Sequence, residues 1–286
     1  MAYKQEISRK NRTCFLFVLD HSGSMNDPWS ASASAKKADG VAEILNKTLR
    51  QLCLRCAKGA EPPRDYFDMG VIAYRDSNVE SALGGKLKGQ MLVPVNEFMR
   101  NPLRVVERKE AGGQTVKFPI WADPVCSGKT PMCQALKQVR DLIETWIRTP
   151  GHIDSYPPTV VHITDGEATD NDPATGSSPM KWAEEIRALS TKDGNVLLFN
   201  CHISSAAGAV ALFPSGQEEL ADEWAQLLFS MSSVLPDNLV YEVRNEGLQV
   251  GPQPRGFGFN AGFEQLVKFL DIGTRGSSIG ARTAST

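Results

Sequence analysis

The chain has 286 residues, 41% of them hydrophobic, and its 31 Lys and Arg against 33 Asp and Glu give a formal net charge of −2. That length suits one large α/β domain carrying insertions, with enough apolar material for a sizeable core. The near balance of charge removes any whole-chain attraction to nucleic acid or to an anionic membrane. Residues 1–12 are polar and basic with no cleavable apolar run behind them, and no stretch is apolar for long enough to span a bilayer, so a cytoplasmic chain with reduced cysteines is expected.

In chain order, Cys14-Phe15-Leu16-Phe17-Val18-Leu19 is an unbroken apolar run, which predicts a strand buried on both faces at the centre of a parallel sheet. The loop after it, Asp20-His21-Ser22-Gly23-Ser24-Met25, places a carboxylate and two hydroxyls at every second residue. Alternate residues of extended chain point the same way, so Asp20, Ser22 and Ser24 can converge above the strand's carboxyl end, and three oxygens aimed at one point suit a hard cation such as Mg²⁺. The plainer reading is a polar turn that caps the next helix. That helix is expected over 35–57, with Ala38, Val41, Ala42, Leu45, Leu49, Leu52, Cys53 and Cys56 on its inner stripe and Gly59 and Pro62-Pro63 as its stop. Cys53 and Cys56 form a C-x-x-C with no second pair at zinc spacing, so packing is their expected role. Cys126, Cys133 and Cys201 read as small buried hydrophobes.

A second strand is expected over 67–74, an antiparallel edge strand over 90–95, and a helix over 96–110 ended by Gly112-Gly113. The proline-rich stretch 118–124 then reads as a loop beside the face that carries Asp20. Thr130 and Pro131 open the next helix as N-cap and first helical residue, with Met132, Ala135, Leu136, Val139, Leu142, Ile143 and Trp146 inward. A buried strand over 159–164 follows, then an acidic loop from Asp165 to Asp172, a helix over 178–190 and a strand over 195–203. Ser215 and Glu218 have capping-box spacing ahead of a helix with Leu220, Trp224, Leu227 and Leu228. A strand near 257–259, a helix over 263–270 and a disordered tail over 273–286 complete the chain. The alternation of strands and helices predicts an α/β doubly wound, mostly parallel sheet with helices on both faces and one antiparallel edge strand, whose sites lie at the carboxyl ends of the strands.

Three motifs sit at that edge: Asp20-x-Ser22-x-Ser24, Gly128-Lys129-Thr130-Pro131 and Thr164-Asp165-Gly166. In this order they resemble the metal-ion-dependent adhesion site (MIDAS) of von Willebrand factor A (vWA) domains, over residues 12–272 with an insertion around 96–127 and a polar arm at 1–11. The resemblance implies a metal site made of Asp20, Ser22, Ser24, Thr130 and Asp165, holding Mg²⁺ with Mn²⁺ or Ca²⁺ as alternatives. It further implies an open coordination position filled by a carboxylate of a partner protein, hence an adaptor or regulatory subunit and no catalytic residue. The one-domain build and the Thr-Asp-Gly-Glu loop look like bacterial cytoplasmic stand-alone members, whose partners are a phosphatase, a kinase or an AAA ATPase. Thr130 could serve as helix cap, as ligand or as both. His21 is expected to point away from the ligands. Glu167, Asp170 and Asp172 are expected as solvated rim, and Trp29 and Trp121 as partner anchors if exposed.

Enzyme readings fit less well. A Walker A loop ending at Gly128-Lys129-Thr130 would need a glycine where Asp123 stands. Asp20 after a buried strand resembles the nucleophile of the haloacid dehalogenase family, but that resemblance implies a second Asp where Ser22 stands; adjacent Asp, His and Ser on one loop do not make a triad, and no strong general base is visible. The alternative carried forward is a metal-dependent phosphohydrolase using the same Asp/Ser cluster, whose turnover would be lost in Asp20→Asn. Substituting Asp20 or Ser22 by Ala is expected to abolish ion-dependent binding while leaving the fold nearly intact.

Overall fold

The computed structural model describes residues 3–29, 36–57, 64–109, 113–172, 174–203, 210–218, 220 and 223–275. Its strands are β1 (Thr13–Asp20), β2 (Phe67–Arg75), β3 (Asn78–Ser81), β4 (Val93–Pro94), β5 (Arg104–Lys109), β6 (Thr115–Ile120), β7 (Thr159–Thr164), β8 (Ser190–Thr191), β9 (Gly194–Asn195), β10 (Leu197–His202), β11 (Ala211–Leu212) and β12 (Phe257–Phe259). Its α-helices are α1 (Lys37–Ala57), α2 (Val95–Arg100), α3 (Met132–Arg148), α4 (Pro179–Ala188), α5 (Glu223–Met231), α6 (Asp237–Asn245) and α7 (Phe263–Gly273).

The main sheet runs β11-β12-β10-β7-β1-β2-β3, parallel from β12 to β2. All eight residues of β1 are buried, as an apolar run without alternation requires. Phe15, Phe17 and Leu19 face one layer, with α1, α2, α6 and α7, whereas Leu16 and Val18 face the other, with α3, α4 and α5. Each such side chain contributes about 1.5–3 kcal/mol by leaving water. The predicted α1 stripe is buried at every position, and so is that of α3 except Leu142, which packs half-buried on the same core. All six cysteines are free thiols, five of them buried. None of the helices is long and apolar enough to cross a membrane, among the described residues.

The antiparallel edge beside β2 differs from the expected one. Only Val93–Pro94 of the 90–95 segment pairs there, and the longer partner is β3, which turns straight back after Asp76. On the opposite margin, β11 pairs antiparallel with β12. The expected helix over 96–110 stops at Arg100, because Pro102 has no N–H to continue it; Arg104 to Lys109 instead forms a hairpin with Thr115–Ile120. Pro119 is tolerated because both strands of a two-stranded ribbon are edges. The hairpin lies over α1, with the Arg108 guanidinium 4.1 Å from the centre of the Phe118 ring and 3.3 Å from Glu43.

Towards the carboxyl end, residues 215–218 are not helical, so Ser215 and Glu218 do not box α5. Helix α6, begun after Pro236, was not expected. Gly273 to Arg275 are ordered rather than tail, since Arg275 pairs with Glu242 at 2.7 Å and with Glu246 and Asp271 at 2.5 Å. Residues 276–286, the expected helix start at 35, and Gly59, Pro62, Pro63 and Gly112 lie outside the described residues. Within the amino-terminal arm, Ile7 is buried and the Tyr3 ring packs edge-on against Tyr156 at 6.1 Å.

One glycine ties α1 to the loop that precedes it. A Cβ on Gly40 would overlap the ring of Trp29, which is buried against the helix. Gly→Ala within a helix ordinarily stabilises by up to about 1 kcal/mol. Here the added methyl group overpacks the site at a cost of about 1–3 kcal/mol. Gly40→Ala is therefore expected to move the urea unfolding midpoint down; a midpoint that rises would mean that Trp29 is not seated on α1.

Candidate metal centre

The parallel register brings the carboxyl ends of three strands together. Asp20, the last residue of β1, pairs with Tyr74 of β2, and Leu19 pairs with Ile163 of β7, which sets Thr164 and Asp165 beside the Asp20 loop. Asp20 Oδ1 accepts a hydrogen bond from the Ser22 backbone N–H at 2.8 Å, and Oδ2 accepts one from the Thr164 hydroxyl at 2.6 Å. Ser22 Oγ lies 3.1 Å from Ser24 Oγ, and Ser24 Oγ donates to Asp165 Oδ1 at 2.7 Å. Asp20, Ser22, Ser24 and Asp165 thus form one connected set of oxygens drawn from two loops.

Thr130 joins them through its backbone. Gly23 N donates to Gly128 O at 2.9 Å and Ser127 N to His21 O at 2.8 Å, while Thr169 N donates to Thr130 O at 2.9 Å. The loop carrying Thr130 is therefore laced to the Asp20 loop on one side and to the acidic loop on the other. Gly128 makes its turn at φ +75°, and a Cβ there would collide with the Asp76 carboxylate, which accepts from Lys129 N.

The expected capping by Thr130 is not what caps α3. Asp170 accepts from Cys133 N at 2.9 Å and from Gln134 N at 2.8 Å, so a carboxylate from the acidic loop satisfies the orphan N–H groups where the helix dipole favours negative charge. Asp170 is consequently a structural cap, not solvated rim, and the Thr130 hydroxyl makes no hydrogen bond among the described residues. Asp172 accepts from Ala174 N and Thr175 Oγ1 at 2.9 Å in a turn of its own, while Glu167 is exposed. Trp29 and Trp121 are both buried and cannot anchor a partner: Trp121 donates its indole N–H to Phe98 O at 2.8 Å.

The residue that sequence reasoning missed is Lys37. Its ammonium donates to Asp165 Oδ2 at 2.6 Å, in an ion pair whose side chains are only 4% and 1% exposed. One signal was available. Lys36-Lys37 opens a helix with cations against the dipole, an arrangement that calls for a counter-charge from elsewhere.

Burial pushes the Asp20 carboxyl up to about 6, against the opposing pull of its bonds from Ser22 and Thr164 and with help from the neighbouring Asp165 charge. Burial, with the Arg75 cation nearby, pushes His21 down to about 4. On its far side His21 borders a cavity of about 370 Å³ lined also by Arg75, Glu80, Lys88 and Asp123. The donor set is all oxygen, two carboxylates and up to three hydroxyls, which fits a small hard dication and not zinc. Cation affinity is already expressed within the fold, since an ammonium rests on one of the two carboxylates. Among the described residues no group of three or more His, Cys, Asp or Glu side chains could hold a metal, so any ion here depends on the hydroxyls. Asp20 is 1% exposed with both oxygens engaged, which also corrects the expectation that its removal would leave the fold nearly untouched.

No protein-family model and no curated protein matches the chain. Solved structures that align with it include proximal thread matrix protein 1 of the mussel byssus, at 14% identity over 94% of this chain and 48% of that one, with a TM-score of 0.46. The manganese-loaded TRAP protein of Plasmodium vivax aligns at 14% identity over 94% and 76% of the two chains, with a TM-score of 0.42. The ArnB paralog VWA2 of Sulfolobus acidocaldarius aligns at 11% identity over 90% and 43%, with a TM-score of 0.39. The chain spans less than half the length of the mussel and Sulfolobus chains.

Proposed function

We propose that the chain is a vWA-type interaction module that holds a divalent cation, Mg²⁺ or Mn²⁺, on Asp20, Ser22, Ser24, Thr130 and Asp165 and docks an acidic residue of a protein partner there. The observation that carries this reading is the connected run of oxygens at one sheet edge, together with a Thr130 hydroxyl left available because Asp170 caps α3. Bound there, the ion would supply an electrophilic position for a carboxylate oxygen. Ser24, Gly128, Lys129 and Glu167, the exposed residues around the cluster, would form the rim of the contact. A cytoplasmic adaptor or regulatory subunit serving a phosphatase, a kinase or an AAA ATPase is the role that the motif resemblance favours.

Binding is favoured over catalysis on a specific ground. An aspartyl-phosphate route through Asp20 is disfavoured, since both its oxygens accept hydrogen bonds, from Ser22 N and Thr164 Oγ1, in a buried position, whereas hydrolysis by an ion-activated water would need no such nucleophile and is what the turnover arm below tests. The test is affinity capture from native lysate with wild type in Mg²⁺, wild type in EDTA, and Ser22→Ala/Ser24→Ala in Mg²⁺. A protein retained in the first arm alone is the expected result. Equal retention in all arms, or phosphate-ester turnover that disappears in Asp20→Asn, would overturn it.

A further inference from the structure

The cluster carries a cation of its own. Asp165 Oδ1 is taken by the Ser24 hydroxyl and Oδ2 by the Lys37 ammonium, so both oxygens of one of the two carboxylates are engaged. The two engagements differ in kind. A donating hydroxyl keeps its lone pairs and can still face an ion, whereas an ammonium has none and repels one. Two carboxylates, Asp20 and Asp165, against one ammonium, Lys37, leave a formal local charge of −1, which a dication would turn to +1 among three charged side chains that are themselves buried. At such short range and low exposure like charges interact strongly, and screening by salt is slight. The ammonium and a dication therefore compete for the same carboxylate. Lys37 is the first residue of α1 and reaches Asp165 on a four-carbon stem, so the head group can leave without unpacking the helix.

Resting on the metal-site reading above, we propose that Lys37 is the resident counter-ion of the cluster and its affinity-setting residue: its ammonium holds Asp165 in the ion-free protein and must leave that carboxylate for a divalent cation to be held. Ion binding is then coupled to the start of α1 and, through the contact at Gly40, to Trp29.

The probe is Mn²⁺ alone, titrated into the full chain at fixed pH and ionic strength, with free Mn²⁺ counted by electron paramagnetic resonance. Wild type, Lys37→Met, Lys37→Gln and Asp20→Asn/Lys37→Met are compared. Removing the ammonium is expected to tighten Mn²⁺ binding at least tenfold, with Asp20→Asn cancelling the gain. The melting temperature of Lys37→Met should also rise more with Mn²⁺ than that of wild type, because its ion-free state has lost a counter-charge. Lys37→Gln removes the charge but keeps a donor for Asp165, and it carries the test if Lys37→Met fails to fold. Binding in the variants but not in wild type is the same result in stronger form. Equal or weaker binding in Lys37→Met and Lys37→Gln beside a wild type that does bind overturns the role of Lys37 and leaves the metal site standing. A gain that survives Asp20→Asn puts the ion elsewhere and also overturns it, and binding by none of the four proteins overturns both readings together.

Discussion

Asp165→Ala is expected to lower the free energy of unfolding by about 3–5 kcal/mol in ion-free buffer. The reason lies in what is left behind. Lys37 and Asp165 pair at 2.6 Å with side chains 4% and 1% exposed, so deleting the carboxylate strands an ammonium where water hardly reaches. Asp20→Ala strands only neutral donors, the Ser22 N–H and the Thr164 hydroxyl, each worth about 1–3 kcal/mol. Removing both charges should be far milder than removing one, because a buried ion pair replaced by uncharged groups is often close to neutral. Lys37→Met/Asp165→Ala should therefore recover most of the loss. Urea unfolding of wild type, the two single variants and the double variant closes the cycle; effects that add to within about 0.5 kcal/mol would show that the pair is not coupled in the folded protein.

That ion pair also marks where a sequence stops being legible. The uninterrupted run in β1 announces its double-sided burial, and the spacing of three and four in α1 and α3 announces their inner stripes, because in each case the pattern within one element decides what that element buries. The two-residue spacing of Asp20, Ser22 and Ser24 is local in the same way, and so is the Ser178 cap on α4, whose hydroxyl accepts from Lys181 N at 3.2 Å. Lys37 with Asp165, and Asp170 with the start of α3, are contacts between loops distant in the chain, and no periodicity records them. The β5–β6 hairpin was misread for a different reason. Six of its twelve residues are exposed and only Phe118 and Ile120 are buried, so the one alternating apolar set, Val116, Phe118 and Ile120, is short and has a proline inside it. Helix α6 buries only Leu239 and Val243, two apolar positions four apart, too thin a stripe to be noticed. The exposure of Trp29 and Trp121 was equally beyond reach, since an indole ring looks the same in a sequence whether it meets a partner or a helix.

Beneath the cluster a buried polar chain crosses the sheet, and it gives the second large effect. Asn200 donates through Nδ2 to Ser232 Oγ at 3.0 Å, which turns its carbonyl oxygen towards His162 Nδ1 at 2.9 Å. That orientation assigns the imidazole proton to Nδ1 and leaves Nε2 to accept from the Tyr74 hydroxyl at 2.8 Å, so the network is satisfied with His162 neutral. Burial pushes His162 down to about 4, against a weaker upward pull from Asn200. In the unfolded chain a histidine titrates near 6.5, so between roughly pH 6.5 and 4 the unfolded state binds the extra proton and stability rises with pH. The contribution of His162 is accordingly full above that window and falls away through it on acidification, by about 3 kcal/mol in total. The wild-type curve alone does not isolate it. His21, also pushed to about 4, acts with the same sign, whereas Asp20, pushed up to about 6, acts with the opposite sign because the folded state holds its proton longer. The diagnostic quantity is the difference in unfolding free energy between wild type and His162→Gln, measured by urea denaturation from pH 7.5 to 4. That difference should shrink by about 3 kcal/mol as the pH falls through the window, because Gln has no proton to gain. A difference that stays constant over the whole range would mean that His162 takes up its proton at the same pH folded and unfolded, and one that widens on acidification would mean that it is already charged in the folded protein; either way the Tyr74–His162–Asn200–Ser232 chain would need its donors and acceptors reassigned.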